Sequence, residues 1–153
     1  MNSEHLSRAL AVYQGSDADA TRRLYDDLEA LGPRGSIAMN LFRACKCSER
    51  AKAYRRRAHK DAAYDRKQWS MGMLANALQT HAGALGMSWG WGLDEAQPLH
   101  RYVLYVDTPN GQVSFHSEAR GIGPVYPGQW DGQRGVAAAR VCAFAAAVLE
   151  AGQ

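Results

Sequence analysis

Residues 102–117 read YVLYVDTPNGQVSFHS. Two alternating apolar and polar runs flank Pro109-Asn110-Gly111, and Asn-Gly between β-branched and aromatic residues marks a hairpin. A two-residue loop at Pro109-Asn110 sets Thr108 opposite Gly111, Val106 opposite Val113, Leu104 opposite Phe115 and Tyr102 opposite Ser117. That face is apolar, as a sheet packed on helices requires. The other face pairs Asp107 with Gln112, Tyr105 with Ser114, Val103 with His116 and Arg101 with Glu118, and reads as solvated. A one-residue slip sets Leu104 opposite His116 and mixes the faces. In the favoured register Asp107 lies four rows from His116, about 13 Å at the usual strand rise, so the two form no dyad.

The character of the chain changes on either side of this hairpin. Before it, MSWGWGLD places Met87, Trp89, Trp91 and Leu93 on one side and Gly90 and Gly92 on the other, a period of two that predicts a strand. The two tryptophans read as core, while the glycines leave room for a backbone or ligand on the opposite face. After it, residues 120–135 are rich in glycine, with Pro124 and Pro127, and predict a loop that Val125, Tyr126 and Trp130 can anchor. Residues 136–151 are alanine-rich and predict a helix with Val136, Cys142, Phe144 and Val148 inward.

Residues 1–86 carry helical signals. Ser3 caps a first helix with Leu6, Leu10 and Tyr13 on one face, ended by Gly15. Ser16 and Asp19 form an acidic capping box for a second, with the stripe Ala20, Leu24, Leu28, Leu31 and a stop at Gly32-Pro33. A third starts near Ser36, with Ile37, Leu41 and Ala44 inward, and breaks near Ser48. Leu74, Leu78 and Leu85 mark a further stripe closed by Gly83 or Gly86. The expected architecture is α+β in one domain. An N-terminal layer of four to five helices (1–86) precedes a three-stranded antiparallel meander (87–119), the loop (120–135) and a C-terminal helix packed on the sheet (136–151).

No run of about 18 apolar residues predicts a membrane span, and the N-terminus does not read as a signal peptide. Three cysteines, Cys45, Cys47 and Cys142, argue against a disulfide framework, and a cytoplasmic setting is expected. Net charge is +3, but residues 43–67 hold ten Lys/Arg against three Asp/Glu, while the rest holds eight against twelve. The chain is thus an acidic body with one basic segment.

That segment supplies the main candidate binding residues: Arg50, Lys52, Arg55, Arg56, Arg57, Lys60, Arg66 and Lys67, with Tyr54 and Tyr64 among them. Read as a basic helix over 50–67, it is either a solvated face or a polyanion site. Phosphates suit its cations and bases its tyrosines; an acidic protein surface is the other target. No spacing typical of a DNA-binding motif is present. Cys45, Cys47, His59 and Cys142 lack the paired spacing of a structural zinc site, so neither metal nor cofactor is expected. The candidate acid–base residues of an enzyme are His116, Asp107, Tyr105 and Asp131; no third member stands at a fixed spacing, and no enzyme is expected.

The segments YVDTPNGQVSFH (105–116) and GPVYPGQWDG (123–132) resemble a recurring pattern in small uncharacterised bacterial and bacteriophage proteins. Residues 102–132 carry the resemblance, and 35–69 look like the helical segments that accompany it in phage and mobile-element versions. Asp107, Gln112, His116, Trp130 and Asp131 are the matching positions. The resemblance implies a mobile-element setting and no particular reaction. With the small size and charged surface, it makes a binding protein the first expectation. Such a protein would inhibit a host defence complex in the manner of anti-CRISPR proteins, its partner a host protein or ribonucleoprotein. Nucleic-acid binding through 50–67 is the alternative, and a small hydrolase or nuclease the second alternative.

Overall fold

The structure, a computed structural model, describes residues 3–53, 57–94, 101–118 and 136–152. Helices α1 (Ser3–Gln14), α2 (Ala18–Glu29), α3 (Pro33–Ala53) and α4 (Arg57–Leu85) precede strands β1 (Trp89–Asp94), β2 (Arg101–Thr108) and β3 (Gly111–Glu118), and α5 (Ala137–Ala151) follows. The strands form one antiparallel sheet in the order β1-β2-β3, and the class is α+β.

The hairpin pairs as its hydrophobic alternation demands, from Thr108 opposite Gly111 to Arg101 opposite Glu118. Leu104, Val106, Val113 and Phe115 are buried together on one face, joined by Trp91 opposite Leu104. Gly111 takes the positive φ of +114° that closes the turn. The Thr108 hydroxyl donates to the Gly111 carbonyl at 2.7 Å and accepts from the Asn110 amide at 3.1 Å. From α5, the Arg140 guanidinium donates to the Gln112 carbonyl and ties the turn to the helix.

The second face is not the wet surface its polar residues suggest. Asp107 is exposed and Ser114 and His116 are half-buried, but Val103 is 0% and Tyr105 6% exposed. Both are apolar or aromatic, so their burial follows the hydrophobic effect rather than the alternation. Burial, helped by the Asp107 carboxylate, holds the Tyr105 hydroxyl above its ordinary pKa.

Helix α5 packs on β3 as expected, and also against α1 and α3. Val141, Cys142, Phe144, Ala145, Ala146, Val148 and Leu149 are all buried, so this helix is apolar nearly all round and sits in the core. Its alanines allow close approach on several sides. Ile37, Leu41 and Phe42 of α3, Leu24 and Leu28 of α2, and Leu74 and Leu78 of α4 complete the core.

Several boundaries differ from expectation. Asp17, not Ser16, caps α2, its carboxylate accepting from the amides of Asp19 and Ala20 at 3.0 and 3.1 Å. A carboxylate at that position also complements the helix dipole. On α1, Leu6 and Tyr13 pack half-buried against the core as expected and Ala9 and Val12 are buried beside them, while Leu10 is 37% exposed. Pro33 opens α3 instead of only ending α2, because the first helical position needs no amide hydrogen. Helix α3 runs unbroken through Ser48 to Ala53. The basic stretch 50–67 is therefore divided between the end of α3 and the start of α4, with 54–56 outside the described residues. Gly86, at φ +65°, ends α4.

Two glycines in helices test opposite effects. A Cβ on Gly35 would lie 1.7 Å from the Leu28 carbonyl oxygen, so α2 and α3 touch backbone to backbone there. Gly35→Ala is expected to destabilise by about 1–3 kcal/mol or more, since the helices must separate. Gly72, within α4, has open space at the same position. Gly72→Ala is expected to stabilise by about 0.5–1 kcal/mol through helix propensity alone. Urea denaturation measures both; shifts of the same sign contradict the packing described.

The buried thiols predict an alkaline limit. Burial pushes Cys45 up to about 11 and Cys142 up to about 12, although the Tyr13 hydroxyl, 3.1 Å from the Cys45 sulfur, favours the thiolate. The Tyr13 and Tyr25 phenols are raised in the same direction by burial. All four groups stay protonated in the fold and ionise more readily in the unfolded chain. Their contribution to stability is full below about pH 8, where the unfolded thiols are still protonated, and declines as pH rises towards the folded values. The urea midpoint should be level up to about pH 8 and fall above it; a midpoint at about pH 10.5 equal to that at about pH 7 contradicts this.

Candidate functional site

Helix α3 has a second working face beside its core face. Met39, Arg43, Lys46, Cys47 and Arg50 follow one another at spacings of three, four and one, which places them on one side of the helix. Arg66 and Trp69, three apart on α4, and Tyr25 with Arg22, Asp26 and Glu29 on α2 face the same space. Together they bound a cleft of about 440 Å³ between the three helices.

An aromatic–cation stack lies at its centre. The Arg43 guanidinium sits over the Trp69 ring, 4.5 Å from its centroid. Trp69 is nevertheless 54% exposed, far more than an indole placed only for packing. With Arg43 over one face of the ring, more than half of the residue's surface is still open. A relay beneath positions the arginine: Nη2 of Arg43 donates to Oδ1 of Asn40 at 2.6 Å, and Nδ2 of Asn40 donates to the Ser36 carbonyl at 2.8 Å. Asn40 is buried, so this amide is a fixed support. Nε of Arg43 is shut from solvent and has no acceptor among the described residues, a loss of about 1–3 kcal/mol that the stack must offset.

The cations around the stack have different duties. Lys46 donates to the carbonyls of Val12 and Gly15 at 2.6 and 2.9 Å, satisfying the open end of α1. Burial, and then the neighbouring Arg50 charge, lower its pKa. Arg22 donates to Asp19 at 3.0 Å. Arg50 and Arg66 are exposed, and among the described residues no carboxylate pairs with either. Tyr25 stands edge-on to Phe42, ring centroids 6.0 Å apart. Burial raises its pKa, so its hydroxyl remains a neutral donor at the wall of the cleft.

Of the residues expected to bind, Arg50 and Arg66 are brought together here. Lys52 is exposed near the end of α3, and Tyr64 and Lys67 are half-buried on α4. Tyr54, Arg55 and Arg56 lie outside the described residues, as do the side chains of Arg57 and Lys60 in the first turn of α4. Trp69, Arg43, Asn40 and Tyr25 did not stand out in the sequence. The available signal was the seven-residue interval from Arg43 to Arg50 on a helix, together with a tryptophan set among Lys67, Gln68 and Ser70.

The sheet residues do not converge. Asp107 accepts from Gln112 Nε2 at 2.7 Å, the cross-strand pair expected, and stays four rows from His116. Tyr105 pairs across the sheet with Ser114. Asp131 lies outside the described residues. Cys45 is buried and Cys47 faces the cleft, and among the described residues no three metal-ligating groups gather. The side chain of His59 lies outside the described set. Also among the described residues, no helix is long and apolar enough to cross a membrane.

No family model, curated protein or solved structure matches the chain.

Proposed function

We propose that the protein acts by binding rather than catalysis, and that its ligand is nucleic acid laid along the α2–α3–α4 cleft. The observation that carries this reading is the exposed Trp69, held by Arg43 and flanked by Arg50 and Arg66. Arginines without carboxylate partners among the described residues suit phosphate, which accepts paired hydrogen bonds from a guanidinium. An exposed aromatic ring beside them suits bases. Acid–base chemistry draws less support, because the Asp107 carboxylate is engaged by Gln112 and displaced from His116.

A second reading is inhibition of a host defence complex in the anti-CRISPR manner, supported by the mobile-element resemblance of residues 102–132. The exposed carboxylates Asp17, Asp19, Asp26, Asp27 and Glu29 along α2 offer an acidic surface for it. Three of them are already engaged, Asp17 by the amides at the start of α2, Asp19 by Arg22 and Asp27 by Arg8 at 2.7 Å, which weakens any imitation of a nucleic-acid backbone.

Retention of DNA or RNA at about 50 mM salt, falling steeply with added salt, is expected. Replacing Arg50 and Arg66 together by Ala should reduce the slope of log affinity against log salt by about 1.4–1.8, two phosphate contacts' worth. Fluorescence anisotropy at several salt concentrations measures this. No binding at the lowest salt, with a stoichiometric protein partner recovered from nuclease-treated host lysate, favours the second reading instead.

A further inference from the structure

We infer that the cleft admits one unpaired nucleotide of a single strand, its base stacked on the open face of Trp69 and its flanking phosphates on Arg50 and Arg66. This rests on the nucleic-acid reading above and adds the form of the ligand.

The argument begins with what a duplex can offer. Its bases lie stacked on one another, and only edges and phosphates face outward. A basic surface alone therefore holds either form, whereas an exposed aromatic face is useful only to a strand whose bases are free to leave the stack. Trp69 presents such a face. Arg43 occupies one side of the indole at 4.5 Å, and 54% of the residue remains open. A base on the other side completes a layered arrangement of guanidinium, indole and base. The cation withdraws from one ring face while the base covers the other, and both contacts are sequence-tolerant.

The dimensions agree. A recess of about 440 Å³ has the size of pockets that hold small ligands, and suits one base and its sugar. A duplex cannot enter it. Met39 lines the recess and supplies apolar surface, and the neutral Tyr25 hydroxyl offers a donor to a base edge or sugar oxygen. Arg50 and Arg66 come from different helices on the same cleft, so they can engage phosphates on two sides of one nucleotide. Arg50 shares the last turn of α3 with Lys52, and a cation beyond the lining residues favours a strand that continues past the recess over a free mononucleotide.

The experiment uses the full chain and four probes: oligo(dT), the same oligomer in duplex with oligo(dA), an abasic oligomer of equal phosphate number, and thymidine monophosphate. Oligo(dT) is expected to bind about tenfold or more tightly than the duplex or the abasic strand, and the mononucleotide more weakly still. Trp69→Ala should remove about tenfold of the oligo(dT) affinity and most of the discrimination against duplex, while Trp69→Phe, which keeps a ring, should retain both within about threefold. Circular dichroism confirms that each variant is folded. Oligo(dT) should also quench tryptophan fluorescence in the parent and lose most of that effect in Trp69→Phe. Equal binding of strand and duplex, or Trp69→Ala leaving their ratio unchanged, overturns this inference and leaves the nucleic-acid reading standing. Mononucleotide binding as tight as oligo(dT) overturns the strand as ligand. No binding of any probe overturns this inference, and no retention of either DNA or RNA at about 50 mM salt overturns both.

Discussion

The contact between Gly35 and the Leu28 carbonyl sets where α2 lies against α3, and much else follows from it. Only a residue without a Cβ lets two helix backbones meet so closely. The approach brings Leu24 and Leu28 onto Ile37, Leu41 and Phe42, and so closes the core on that side. It also leaves Tyr25, one residue beyond Leu24, facing Met39 and Arg43 across a narrow space. The same packing therefore makes the core and one wall of the cleft. Helix α4 forms the opposite wall through its long contact with α3.

Helix α3 serves two environments with one sequence. Its inner face carries Ile37, Leu41, Ala44 and Cys45, and its outer face carries Arg43, Cys47 and Arg50. This explains a weak apolar stripe in the second half of the helix, where α-helical propensity and packing against α4 carry the structure. A serine at position 48 was therefore no break. Its hydroxyl is a good cap only where the backbone has reason to leave the helix, and here strong helix formers continue on both sides.

The hairpin was legible because a period of two and a short turn leave one register that keeps the faces distinct. Its second face was legible too, had Val103 and Tyr105 been weighed as apolar residues rather than as neighbours of Asp107 and His116. The cleft was harder to see. Arg43 and Trp69 stand 26 positions apart, on two helices whose rotation about one another no local pattern encodes. Charge density drew attention to Arg55, Arg56 and Arg57, while the geometry gives meaning to single arginines placed at helical intervals.

A count of cations would overstate how strongly this surface attracts phosphate. Lys46 is held by the carbonyls at the end of α1, Arg22 by Asp19, and Arg43 by Asn40 and Trp69. That leaves Arg50 and Arg66 as the described cleft cations without an internal duty. Two phosphate contacts alone lose about tenfold in affinity between roughly 50 and 200 mM salt, so electrostatics brings a ligand close without holding it firmly. The remaining affinity must come from a contact that salt does not screen. Burial of a flat ring on another ring is such a contact. On the proposed nucleic-acid reading, selectivity in this cleft would reside in the indole, and the arginines would set where along a polyanion it comes to rest.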